Sequence, residues 1–292
     1  MRPAAAVLPE VVAGPEAAAA GLAALRCHGA VVVRGAAPAA ALRLVDRELA
    51  PHFAATPRSE GPFYGDGTTR FGRVLSRSRT MQELVIDRLV HGLAAAVLEP
   101  HRGHAVSFVQ AIAVHPGAPV QVPHRDGEMW PVPPGGAEHL VSVMWPLTAF
   151  EGRTGATRVW PRGEDGAVSG ESVQPVLAPG DALVFLGSTT HAAGANLSDE
   201  VRRGVVVGYA ASWLVPAENP ALAYPPAVAR AFPRELSGLL GYRRRAPNLN
   251  NYDCRCPSEL LDGVAGRGAV DELHPEQVTG LARFYSDMGV AA

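Results

Sequence analysis

Pro179-Gly180-Asp181-Ala182-Leu183-Val184-Phe185-Leu186-Gly187 is a turn signal followed by a short apolar run that ends on a second glycine. A run of this length between turn residues reads as a β-strand. The same pattern recurs on either side of it. Ala105–His115, Leu140–Leu147, Ser172–Leu177 and Gly204–Trp213 also read as strands, separated by turns at His115-Pro116-Gly117 and Pro133-Pro134-Gly135-Gly136. Short strands punctuated in this way predict a mainly β core, with a double-sheet jelly roll the leading candidate.

Upstream the character is helical. Ala17–His28 reads as a short helix stopped by Gly29, Ala30–Arg34 as a strand and Ala39–Phe53 as a second helix. Gln82–Leu98 carries a helical stripe of Leu84, Val85, Leu89, Leu93 and Val97. Beyond Pro216 the chain is proline-rich and irregular until a helix over Glu276–Met288. The expected organisation is a single domain over 1–292, with a mostly helical flank (1–104), a β core (105–215) and a C-terminal extension (216–292).

The 292 residues include 47% hydrophobic and 18% charged, which is globular composition. A net charge of −2 without a basic stripe argues against nucleic acid as partner. All 26 basic residues are arginine, which removes Schiff-base chemistry and a P-loop lysine. Three cysteines, Cys27, Cys254 and Cys256, are too few for a disulfide framework, and Cys254-Arg255-Cys256 is closer-spaced than a zinc CxxC. No stretch has the composition of a signal peptide or of a membrane span. A soluble cytoplasmic protein, monomer or homodimer, is expected.

The chemistry lies at two points. Gln121-Val122-Pro123-His124-Arg125-Asp126 contains His-x-Asp, and in an extended chain positions i and i+2 face the same side, so imidazole and carboxylate can share a cation. His191 follows the apolar run at 182–187 and brings a third donor from another strand. Two histidines and one carboxylate on one face of a metal leave open positions, the facial triad of non-haem Fe(II) oxygenases. The same donors also suit a cupin-like protein that holds metal without turnover, or a zinc hydrolase or isomerase. An arginine would anchor a dicarboxylate co-substrate by its planar fork. Arg202 and Arg203 are candidates, and on a strand only one of them can face the metal.

The segments His124-Arg125-Asp126, Gly155-Ala156-Thr157-Arg158-Val159-Trp160-Pro161, Gly180-Asp181, His191, Asn196-Leu197-Ser198 and Arg202-Arg203, in this order over 105–213, resemble the phytanoyl-CoA dioxygenase family. The resemblance implies a double-stranded β-helix core, a jelly-roll, cupin-like fold with flanking helices. It implies Fe(II) on His124, Asp126 and His191, 2-oxoglutarate as co-substrate, O2, and ascorbate as reductant in vitro. It selects Arg202 for the 2-oxoglutarate carboxylate and adds Gln121 and Thr157 as contacts. A retained Asp126 implies oxygenation in place of halogenation, with hydroxylation the default outcome. Many members continue the Thr-Arg segment with Pro-Gly-Ser-His, whereas this chain has Pro161-Arg162-Gly163-Glu164.

Glu128, Met129 and Trp130 follow the metal motif and are expected at the pocket mouth, and Phe63 and Tyr64 on a glycine-rich loop are expected to form part of a lid. Asn196 is expected to hold a turn. A small-molecule substrate of natural-product, acyl or amino-acid type is expected; a coenzyme A thioester would call for a basic patch, for which Arg243-Arg244-Arg245 is the candidate run.

Overall fold

Alternation of side chains along buried strands decides how this chain layers itself. The computed structural model describes residues 7–133, 135–163, 166–264 and 266–289; Pro134 and Glu164, named above, lie outside them. Its strands are β1 (Glu10–Val12), β2 (Ala30–Arg34), β3 (Thr68–Phe71), β4 (His104–Val114), β5 (Leu140–Pro146), β6 (Thr157–Val159), β7 (Ala182–Leu186), β8 (His191–Ala193) and β9 (Arg202–Ala211). Its helices are α1 (Ala17–His28), α2 (Ala39–Ala55), α3 (Arg79–Val85), α4 (Val90–Leu98), α5 (Pro220–Ala223), α6 (Pro226–Ala229), α7 (Arg234–Leu239), α8 (Ser258–Leu261) and α9 (Pro275–Asp287). None is long and apolar enough to cross a membrane.

A seven-stranded sheet runs in the order β1-β2-β7-β5-β9-β4-β3, and β6 pairs with β8 in a small second sheet. The large sheet is buried on both faces. Val31, Val33, Val143, Trp145, Val184, Val205 and Val207 pack in one cluster with α1 to α4. The alternate residues Val32, Met144, Leu183, Phe185 and Val206 pack in another with Phe150, Ala156 and Val159 around the small sheet. Period-two alternation thus supplies two cores from one sheet. On β9 two inward positions are glycines because aromatic rings occupy their side-chain space. A Cβ on Gly204 would lie 2.7 Å from Phe150, and one on Gly208 would strike the Phe108 ring.

The same alternation separates two adjacent arginines. Arg203 shares the face of Val205 and Val207, and its Nε and Nη2 donate to Asp46 on α2 at 2.7 and 2.6 Å. Arg202 shares the face of Val206 and points into the second core.

Several expected elements hold: α1, β2 and the C-terminal helix are placed within about a residue of their sequence reading. Others are corrected. The single helix over 82–98 is two, because Asp87 Oδ1 accepts from the backbone N–H of Leu89 and Val90 and starts α4 afresh. Ser172–Leu177 is not a strand. It makes only isolated bridges, Val173 to Val159 and Leu177 to Phe150, because Pro175 between them has no N–H to donate. The segment after Pro216, read as irregular, contains α5 to α8.

On the helix side, His91 and His104 are hydrogen-bonded through their Nε2 atoms at 2.8 Å, and His91 stacks on Tyr209. Burial, with His91 and Arg245 nearby, lowers the His104 pKa from 6.5 to about 4. An unfolded His104 takes up its proton near 6.5, while the folded one stays neutral down to about 4. Stability therefore falls as pH drops through that window, by up to about 3 kcal/mol at its lower end. Melting temperatures across the interval should decline less in His104→Gln than in the parent. Equal slopes would contradict this.

Candidate metal centre

Segment 121–126 runs antiparallel beside β8. The backbone N–H of His124 donates to His191 O at 3.0 Å, that of His191 to His124 O at 2.9 Å, and that of Gln121 to Ala193 O at 3.0 Å. Directly opposite residues in such a pair present their side chains on one face, and the two imidazole rings are 4.3 Å apart. Arg125 is extended (φ −123°, ψ 124°), so Asp126 returns to the face of His124. The chain then turns tightly over 126–129, fixed by Gly127 N–H on Gly187 O at 2.9 Å. His-x-Asp thus sits on one bridged pair followed by a turn, where the sequence suggested a longer extended stretch.

The donors converge. Asp126 Oδ1 lies 3.6 Å from Nε2 of His124 and 3.6 Å from Nε2 of His191, and the three candidate ligand atoms are within 4.8 Å of one another. The back of each group is held. His124 Nδ1 donates to Val122 O at 2.9 Å and His191 Nδ1 to Thr189 O at 3.1 Å, which leaves each Nε2 lone pair free. Ser142, fully buried on β5, donates its hydroxyl to Asp126 Oδ2 at 3.0 Å and leaves Oδ1 for the cation. Burial lowers the His191 pKa against the pull of Asp126, which favours the neutral, ligating form. This donor set fits a small divalent metal. It is the one such cluster found among the described residues.

The three residues border a cavity of about 220 Å³. Arg202 lies in its wall, only 4% exposed, its guanidinium 4.3 Å from the Phe150 ring centre and its Nε without a partner. Burial, and Arg70 beside it, push its pKa down to about 9. No carboxylate pairs with it among the described residues, and a buried charge in that state calls for an anion. Arg70 on β3 lines the same cavity. It donates to Gln110 Oε1 at 3.1 Å, its Nε is also unpartnered, and burial lowers its pKa.

Arg70 was not among the residues singled out from sequence. It faces inward because it pairs opposite Ile112, a residue of the second core. That register cannot be read before the strands are paired.

The remaining candidates divide. Gln121, Thr157, Phe63, Tyr64 and Met129 all line the cavity, with the Phe63 ring edge-on to His124 at 4.8 Å. Glu128 and Trp130, expected at the mouth, do not. A 3₁₀ turn rotates successive side chains by about 120°, and these two face a neighbouring cleft. Glu128 pairs with Arg125 at 3.1 Å, and Trp130 Nε1 donates to Val215 O at 2.8 Å. His139 bonds Gly127 O at 3.0 Å and braces the turn from behind. Asn196 is structural: its amide donates to Val114 O and Glu200 O. The Arg243-Arg244-Arg245 run does not line the cavity, since Arg244 is held by Glu272 and Arg245 by His104 O.

The profile of phytanoyl-CoA dioxygenase (PhyH) matches residues 25–204. The dioxygenase aneA of Aspergillus aculeatus is 31% identical over 233 residues, which cover 71% of this chain and 77% of aneA. The iron/alpha-ketoglutarate-dependent dioxygenase okaE of Penicillium ochrochloron is 28% identical over 242 residues, 76% of this chain and 80% of okaE. Among solved structures, the non-heme alpha ketoglutarate dependent epimerase SnoN from nogalamycin biosynthesis superposes with a TM-score of 0.57 at 20% identity, over 67% of this chain and 83% of SnoN. That likeness establishes the shared jelly-roll fold. The chain belongs to the phytanoyl-CoA dioxygenase family.

Proposed function

We infer that this chain is an iron- and 2-oxoglutarate-dependent dioxygenase in which His124, Asp126 and His191 hold the metal and Arg202 holds the far carboxylate of the co-substrate. The observation that carries the reading is Arg202. It is a buried guanidinium in the same cavity as the triad, without a carboxylate partner among the described residues, and neither a storage site nor a zinc hydrolase has a use for it. Arg70 supplies a second positive charge for the dicarboxylate, and Thr157 and Gln121 border its path.

Bound at the triad, Fe(II) would couple the oxidative decarboxylation of 2-oxoglutarate by O2 to oxidation of a substrate C–H bond, releasing succinate and CO2. The protein's part is positional. His124 and His191 present Nε2 because their Nδ1 protons are committed to carbonyls. Phe63, Phe108, Met129, Phe185 and Met144 give the cavity apolar walls that keep water from the reacting centre. We read the whole chain as one domain and its substrate as a small natural-product-type molecule, with hydroxylation as the outcome. Relatives in secondary metabolism support this, among them SnoN in complex with nogalamycin RO.

Succinate release with Fe(II), ascorbate and 2-oxoglutarate tests the reading, together with 2-oxoglutarate binding under anaerobic conditions. Absence of both would refute it. Ser142→Ala removes the hydroxyl that holds Asp126 and should lower iron affinity about 10–100-fold in a metal titration. Unchanged affinity would show that this contact does not orient the carboxylate.

A further inference from the structure

We propose that Glu218 recognises a hydrogen-bond donor on the substrate, so that the molecule oxidised is largely apolar and carries a hydroxyl or an amine near the oxidised position. A free carboxylate or a coenzyme A thioester would not fit. The inference rests on the dioxygenase reading above and adds its substrate class.

Glu218 lines the same cavity as the triad and Arg202. Strand register places it relative to them. Arg202 stands opposite Val114 at one end of β4. Ser142, which holds Asp126, stands opposite Gly208, and Gly208 stands opposite Phe108. Glu218 is bonded one residue further: its N–H donates to Ser107 O at 2.9 Å, and Ala217 N–H donates to Ser107 Oγ at 3.0 Å. Ser107 and Val114 are seven residues apart, roughly 23 Å of strand. The backbones of Arg202 and Glu218 therefore meet β4 toward opposite ends, and the Glu218 carboxylate reaches to Gly72 and Arg73, just past the end of β3, with Ser142 and the Asp126 it holds at the level of Phe108.

The carboxylate is fixed in place. Its Oε1 accepts from Arg73 N–H at 2.6 Å, and its Oε2 meets the Tyr224 hydroxyl at 3.3 Å. Gly72 leaves room for it, since a Cβ there would collide with Oε1. No arginine or histidine forms an ion pair with it among the described residues. A carboxylate offers about four acceptor positions, so two donors leave it with unused lone pairs in a cavity whose lining also includes Phe63, Phe108 and Met129. A donor on the substrate would use them, whereas an anion would meet like charge. Arg70 and Arg202 already offset the two charges of the co-substrate, and the basic run at 243–245 lies away from the cavity.

The test uses three probes with one apolar body: 2-phenylethanol, phenethylamine and phenylacetate. Each is titrated into the anaerobic Fe(II)·2-oxoglutarate complex of the full chain, and the shift of its visible charge-transfer band reports binding. The two donor probes should bind about tenfold more tightly than phenylacetate, and Glu218→Gln should remove most of that difference while 2-oxoglutarate affinity stays unchanged. Phenylacetate binding as tightly as the donors would overturn the proposal. So would failure of both donors to bind at millimolar concentration, or an unaltered preference in Glu218→Gln. A charge-transfer band that never forms would count against the dioxygenase reading itself, so the two failures are distinguishable.

Discussion

Replacing Arg202 with alanine is expected to raise the 2-oxoglutarate concentration for half-maximal succinate release by about a hundredfold, with a much smaller effect on the maximal rate. Truncating one partner of a buried charge pair costs about 2–5 kcal/mol, and no second guanidinium can take its exact place at the end of β4. The matched control is its neighbour. Arg203→Ala removes the bond to Asp46, a half-buried ion pair at 2.6 Å. Its loss should cost about 1 kcal/mol of stability and leave the co-substrate requirement unmoved. Kinetics and thermal melts on the two variants should give opposite patterns. Equal effects on the co-substrate requirement, or the reverse order, would refute the assignment.

The second large effect is at His191. His191→Ala should eliminate stoichiometric iron binding and reduce succinate release by about a thousandfold or more, because two remaining donors do not make a facial site. The backbone bonds that pair residue 191 with His124 do not depend on the side chain, so the fold should survive. Metal analysis and a melting curve on the same sample separate loss of iron from loss of structure. A variant that keeps one iron per chain and turns over would move the centre elsewhere.

Much of this was legible in the sequence, for reasons that can be stated residue by residue. His124, Asp126 and His191 stood out because a two-residue spacing and a strand-terminal histidine are local patterns with a chemical meaning. Gly29 marked the end of α1 because it takes φ 79°, which glycine adopts without strain. What stayed hidden depends on pairing or on turn geometry. Ser142 sits within the apolar run 140–146 and looks like a packing residue until β5 is placed behind Asp126. Arg70 is more than fifty positions from His124 in sequence and Glu218 more than twenty from His191, and only the β3–β4 register and the bond of Glu218 to Ser107 on β4 bring them to one cavity. Glu128 and Trp130 were assigned to the mouth on proximity alone, and one turn of 3₁₀ helix carried them past it. Pro175 was visible all along, but its weight against a strand at 172–177 depended on where the ladder would have run.

The two arginines at the start of β9 pose a problem of uniqueness. Strand pairing has a neighbouring solution, in which β9 shifts by one residue and turns over. Arginine would then still occupy both the inner and the outer seat, and the valines at 205–207 would still present apolar surface to both cores. Neither feature penalises the error. The glycines do. A slipped strand would drive Val205 or Arg203 against Phe150 in place of Gly204, and Val207 or Tyr209 against Phe108 in place of Gly208. The two residues on β9 without side chains thus discriminate between registers, and Gly204 does so against the same Phe150 ring on which the guanidinium lies.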